Sequence, residues 1–281
     1  MEKNNCNSIS FYRERLKCNG ALIHCITNYV TVTDCANILI ASGASPIMSD
    51  DIEEVEDITS ICNGLCINIG TLNQRTIPAM FLAAKKASEL LNPILLDPVG
   101  VGASPLRTET ASRLLREVPF TAIKGNISEI KALGLGSGTT KGVDADEMDA
   151  INDTNIGEAI RLAKGISADT GAIVVITGAR DLIVYKDQSA LVRNGHPKMS
   201  EITGSGCMLS ALLTAYLAAN SENMFEATIA CLCHMGIAGE YAERLATKEG
   251  KGNATYSNYL IDFIGTISNE QLERDARYEK L

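Results

Sequence analysis

A chain of 281 residues that is 46% hydrophobic can bury a large core, so one long domain suits it as well as two ordinary ones. Its net charge of -9 argues against nucleic acid or an anionic membrane as the main partner, while local basic sites for a phosphate stay open. The polar start, nine cysteines without zinc-type spacing and apolar runs too short to span a bilayer predict a soluble cytoplasmic protein with free thiols.

Strand and helix patterns alternate along the chain. Residues 21–26 read as a strand, 33–41 as a helix, 46–48 and 65–69 as strands, 77–91 as a long helix and 94–97 as a buried strand. Then come a helix at 108–118, a strand end at 122–124, helices at 127–133 and 156–168, a strand at 173–177 and a hairpin at 182–193. Helices follow from Cys207, from Phe225 and from Tyr256 or Leu260. The glycine-rich stretch 133–146 is expected to be flexible, and the charged tail 269–281 to form a surface helix. This order predicts an α/β fold with a mainly parallel sheet and helices on both faces, and no linker divides it. Ligands then belong at the carboxyl ends of the strands.

The chemistry is expected at ITGSGCMLSALL (202–213), a glycine turn opening an apolar helix. The unpaired amides of the first turn and the helix dipole favour a phosphate there. Cys207 falls in that turn, where the dipole should ease its ionisation; the plainer alternative is a small buried hydrophobe. Asp97 ends an apolar strand before a glycine-rich loop, where it holds a metal or phosphate or merely starts the turn at Pro98. Lys124 ends another strand, where an ammonium can meet phosphate oxygens. Glu129 forms a capping box with Asn126, which is compatible with binding magnesium through water. Thr177 is a phosphate donor or a turn residue. No Gly-x-x-x-x-Gly-Lys-Ser/Thr loop occurs, and no Gly-x-Gly-x-x-Gly follows the first strand, which argues against the common nucleotide folds that use them.

Taken in order, GASPIM (43–48), NIGTL (68–72), LDPVG (96–100), KGN (124–126), ITG (176–178), NGH (194–196) and TGSGC (203–207) resemble the hydroxyethylthiazole kinases of thiamine biosynthesis. Each motif alone is unspecific; seven in family order are specific. The resemblance implies one ribokinase-like domain over residues 1–281 without a separate lid domain. It also implies a homotrimer with sites between subunits, and ATP with Mg2+ phosphorylating the hydroxyl of 4-methyl-5-(2-hydroxyethyl)thiazole. It assigns Met48 and Gly204 to the thiazole, Lys124 and Thr177 to ATP, Asp97 and Glu129 to the magnesium-bound phosphates, and Cys207 to the reacting hydroxyl. Two positions depart from the pattern: Lys124 stands where the family often has Arg, and Ala179 where it often has an acidic residue. The alternatives are a hydroxymethylpyrimidine kinase, which shares the Gly-x-Gly-Cys turn, and a non-catalytic ligand-binding protein of the same fold. A third is an ADP-using dehydratase, which is expected to carry Asp at position 207.

Overall fold

The structure, a computed structural model, describes residues 8–134, 151 and 155–281. The first half runs α1 (Ile9–Asn19), β1 (Leu22–Ile26), α2 (Val32–Ser42), β2 (Ser45–Ile47), α3 (Val55–Ile61), β3 (Gly64–Asn68), α4 (Thr76–Glu89), β4 (Ile94–Asp97), α5 (Pro105–Glu117), β5 (Ala122–Asn126) and α6 (Ile127–Gly134). The second runs α7 (Ile156–Thr170), β6 (Ile173–Thr177), β7 (Asp181–Tyr185), β8 (Gln188–Val192), α8 (Ser205–Ala219), α9 (Met224–Lys248), α10 (Asn253–Thr266), α11 (Asn269–Asp275) and β9 (Tyr278–Lys280). Among the described residues all nine strands share one sheet, in the order β2-β1-β3-β4-β5-β6-β7-β8-β9. Pairing is parallel from β2 to β6 and antiparallel from β6 to β9.

Alternation along the strands divides the core. Leu95 joins the cluster built with α1, α2, α8, α9 and α10, whereas its neighbours Ile94 and Leu96 pack with α4 and α5 on the opposite face. Such two-sided burial is why these strands read as continuous apolar runs. Helix α8 is apolar all round because it is enclosed all round: β1, β3 and β4 lie on one side, α1, α2 and α9 on the others, and every residue from Met208 to Leu217 is buried. The last residues of β3 and β4, Asn68 and Asp97, stand side by side, as do Asn126 and Thr177 at the ends of β5 and β6. That row of strand ends faces the start of α8.

Two features differ from the sequence expectation. Helices α1 and α3 had no clear pattern; α1 is fixed from far away, by Arg13 donating to Ile267 O at 2.6 Å and Asn269 Oδ1 at 2.8 Å. The tail is helical only over Asn269–Asp275, and Tyr278–Lys280 is a strand that covers the edge of β8. The tail changes form because Arg277 is captured: its amide donates to Asn194 Oδ1 at 2.7 Å and its guanidinium meets Glu240. Of the stretch expected to be flexible, residues 135–146 lie outside the described residues.

Candidate active site

Gly204 starts the site. It sits at φ +89, and a Cβ there would fall 2.5 Å from Thr31 Cγ2, so backbone conformation and space both require glycine. Its carbonyl accepts the first helical bond, from Met208 N at 2.8 Å, which leaves the amides of Ser205, Gly206 and Cys207 without an intrahelical acceptor. The glycine turn opening a helix, expected from the sequence, is therefore formed.

Beneath it lies a polar network carried by the strand ends. Asp97 is buried, and its Oδ2 accepts from Ser210 Oγ at 2.7 Å, Asn68 Nδ2 at 2.8 Å and Lys124 Nζ at 3.3 Å. Its Oδ1 is buried with no partner among the described residues. Lys124 also donates to Gly206 O at 3.0 Å, which ties the helix opening to β5. Burial works against the ammonium charge, but Asp97, Glu129 and Cys207 outweigh it and hold the Lys124 pKa above its ordinary value. The expected capping box is present: Asn126 Oδ1 accepts from Glu129 N, and Glu129 Oε2 from Asn126 N, both at 2.8 Å. The other Glu129 oxygen accepts from Gly100 N at 2.9 Å. Burial and the nearby Asp97 charge push the Glu129 pKa up against those amides and Lys124.

Cys207 departs from expectation. Its sulfur lies 3.2 Å from Asn28 Nδ2 and 3.3 Å from Asn68 Nδ2, and burial, then the Asp97 charge, raise its pKa. Lys124, Thr31 and Asn28 pull the other way without prevailing. A helix dipole is a local effect, whereas the cost of removing a thiolate from water depends on the packing of distant segments around it.

Two cavities take in residues expected to bind ligands. The smaller, of about 170 Å³, is lined by Met48 together with Cys25, Thr27, Tyr29, Thr71 and Met80. Asn28, the partner of Cys207, lies between two of those residues. The larger, about 470 Å³, is lined by Thr177, Gly178, Asp181, Gly195, Ser205 and Gly206 among others. Met48 and Thr177 thus belong to different cavities, and of the two only the larger is lined by residues of the α8 opening, Ser205 and Gly206. Asp181 accepts from Gly178 N at 3.0 Å, and burial pushes its pKa up to about 7. Asn28, Asn68, Ser210 and Asp181 were given no role from sequence; their strand-end positions were the available signal for Asn68 and Asp181.

Hard oxygen donors suit Mg2+, and the orphaned Asp97 Oδ1 together with the Glu129 carboxylate gives a donor set that fits it through water. No group of three or more His, Cys, Asp or Glu residues capable of holding a metal occurs among the described residues, so such an ion would draw other ligands from water and phosphate.

A mainly parallel sheet whose paired acid and lysine, on adjacent strands, meet a glycine-opened helix beside a cavity defines a kinase of the ribokinase-like class. The hydroxyethylthiazole kinase family matches residues 14–270. Among similar proteins, the hydroxyethylthiazole kinase of Clostridium acetobutylicum is 57% identical over 95% of this chain and 97% of its own, and that of Clostridium tetani 49% over 94% of each. The solved structure of a hydroxyethylthiazole kinase protein from Pyrococcus horikoshii OT3 matches with a TM-score of 0.85 and 31% identity, covering 97% of this chain and 98% of that one. Bacillus subtilis pyridoxal kinase shares the fold at TM-score 0.55 and 17% identity, over 77% of this chain and 90% of that one. The chain belongs to the hydroxyethylthiazole kinase family.

Proposed function

We infer that this chain is an ATP-dependent kinase that phosphorylates the hydroxyl of 4-methyl-5-(2-hydroxyethyl)thiazole in thiamine biosynthesis, working as a single domain. Family membership supports the reaction. The observation that carries the site assignment is the opening of α8, whose sulfur meets Asn28, next in the chain to Thr27 and Tyr29 of a smaller cavity with Met48, and whose Ser205 and Gly206 line a larger one with Thr177. The thiazole occupies the first and ATP the second.

Transfer of the γ-phosphoryl group to a primary alcohol depends mainly on placement and charge neutralisation. The amides of Ser205, Gly206 and Cys207 hold the phosphoryl oxygens as charge shifts onto them. Lys124 adds positive charge from below, and Thr177 donates to a phosphate from the β6 end. Cys207 sits beside the substrate hydroxyl and orients it. With its pKa raised it is a thiol at neutral pH, so it is not poised as a strong base. Asp97 and Glu129 would hold magnesium, which when bound screens the β- and γ-phosphate oxygens.

The enzyme acts in the cytoplasm as a homotrimer. Support for assembly comes from Tyr29, which lines the smaller cavity yet is 76% exposed, and from its neighbour Val30, 59% exposed, an apolar pair that a second copy would cover. No helix among the described residues is long and apolar enough to cross a membrane.

A coupled ATP assay offering the thiazole alcohol and a hydroxymethylpyrimidine side by side tests the substrate. Preference for the thiazole is expected; preference for the pyrimidine replaces this reading with the pyrimidine kinase. Light scattering tests the trimer, and a fully active monomer rules out a shared site.

A further inference from the structure

Arg107 occupies the first turn of α5, away from both cavities, and its guanidinium reaches back to two loops. Nη1 donates to Ile69 O at 2.9 Å and Val99 O at 2.6 Å, and Nη2 to Gly70 O at 2.7 Å. Those carbonyls follow directly on Asn68 and Asp97, where the β3–β4 ladder ends. Among the described residues no carboxylate forms an ion pair with Arg107. Its donors serve the backbone.

A trans peptide points its C=O and N–H in opposite directions, so a donor gripping the oxygen also aims the amide. The Val99–Gly100 peptide gives its oxygen to Arg107 and its amide to Glu129 Oε1 at 2.9 Å. The Ile69–Gly70 peptide gives its oxygen to Arg107 and its amide to Asn68 Oδ1 at 2.9 Å. Asn68 Oδ1 also accepts from Asn28 Nδ2 at 3.1 Å, and with its oxygen held by these two donors the Asn68 amide turns its Nδ2 to Asp97 and Cys207. The guanidinium also packs under Gly100, where an added Cβ would lie 3.3 Å from Nη1.

We propose that Arg107 is a positioning residue for the kinase reaction: one planar fork, acting through two peptide units, sets the Glu129 carboxylate and the Asn68 amide that holds Cys207 and Asp97. The proposal rests on the functional reading above. Lysine cannot reproduce it, because a single ammonium lacks the fork that spans three carbonyls on two loops.

The main test is Arg107→Lys, which keeps the stem and the charge and is expected to fold. Its kcat falls by roughly tenfold to a hundredfold, because misplaced reacting groups cost rate, while KM for ATP and for the thiazole alcohol stays within about threefold of the parent. Hydrogen exchange at the Gly70 and Gly100 amides accelerates in the same variant. Guanidinium, added below denaturing concentrations, restores part of kcat to Arg107→Ala and none to Arg107→Lys. A parental kcat in Arg107→Lys overturns the proposal, as does a loss of kcat with both amides still exchanging as in the parent. If the unmodified protein phosphorylates no thiazole alcohol, the functional reading fails by itself, and exchange at the two amides still decides whether Arg107 aims them.

Discussion

Lys124 Nζ lies 3.3 Å from Asp97 Oδ2, and the two side chains are only 5% and 1% exposed, so the end of β4 and the middle of β5 are joined by a buried ion pair directly under the opening of α8. Removing one member of such a pair leaves the other charge uncompensated. Lys124→Met is therefore expected to lower the unfolding free energy by about 3–5 kcal/mol, read from urea melts, and to abolish kinase activity. Lys124→Met combined with Asp97→Asn should recover part of that stability and none of the activity. A single variant that melts like the parent contradicts the pairing.

Gly204 and Gly206 give a graded pair of substitutions. Gly204→Ala puts a methyl group 2.5 Å from Thr31 Cγ2 at a backbone φ of +89, whereas Gly206→Ala meets only the flexible Lys124 Nζ, at 3.3 Å. Gly204→Ala should cost at least about 1–3 kcal/mol from backbone strain alone and most of the activity. Gly206→Ala should change the melting temperature little and raise KM for ATP by shifting Lys124. Equal melting temperatures for the two would refute the argument from geometry.

Cys207 is held as a thiol at neutral pH, since burial and Asp97 raise its pKa. Its alkylation by iodoacetamide, followed by peptide mass mapping, should be slow at pH 7 and climb only above the ordinary thiol range; the exposed Cys18 serves as internal control. Cys207→Ala should retain measurable turnover, and Cys207→Asp should keep or raise it, because orientation matters more than proton removal in a loose transition state. Rapid labelling at pH 7, or complete inactivity of a folded Ala variant, points instead to an obligate base.

His234 is buried against Tyr216, with 2.8 Å between Nδ1 and the hydroxyl, and burial lowers its pKa from 6.5 to about 3. Between those values the unfolded chain binds a proton that the folded chain refuses, so stability rises with pH across the window and is lost as pH falls. The urea midpoint of His234→Gln should depend less steeply on pH between about 3 and 6.5 than that of the parent. Parallel curves for the two proteins would show that His234 contributes nothing to acid sensitivity.

The alternation of apolar runs with helical patterns was enough to specify the parallel sheet, the hairpin and the glycine-opened helix at Gly204, because these depend on side-chain spacing and turn residues within a few positions. The strand-end locations of Asp97 and Thr177 and the Asn126–Glu129 capping box were legible for the same reason, whereas Lys124, read as a strand end, lies in the middle of β5, which runs on to Asn126. Which of them meet was not. Ser210 reaches Asp97, Asn68 reaches Cys207 and Arg107 reaches Ile69 across 113, 139 and 38 residues respectively, and no local pattern encodes those distances. Only the assembled fold fixed the direction of the Cys207 pKa, since desolvation is set by everything packed around a group and here, with the Asp97 charge, raises it. The tail followed the same rule: a charged segment with helical pattern became a strand from Tyr278 to Lys280 because Asn194 and Glu240 hold Arg277 at an open sheet edge.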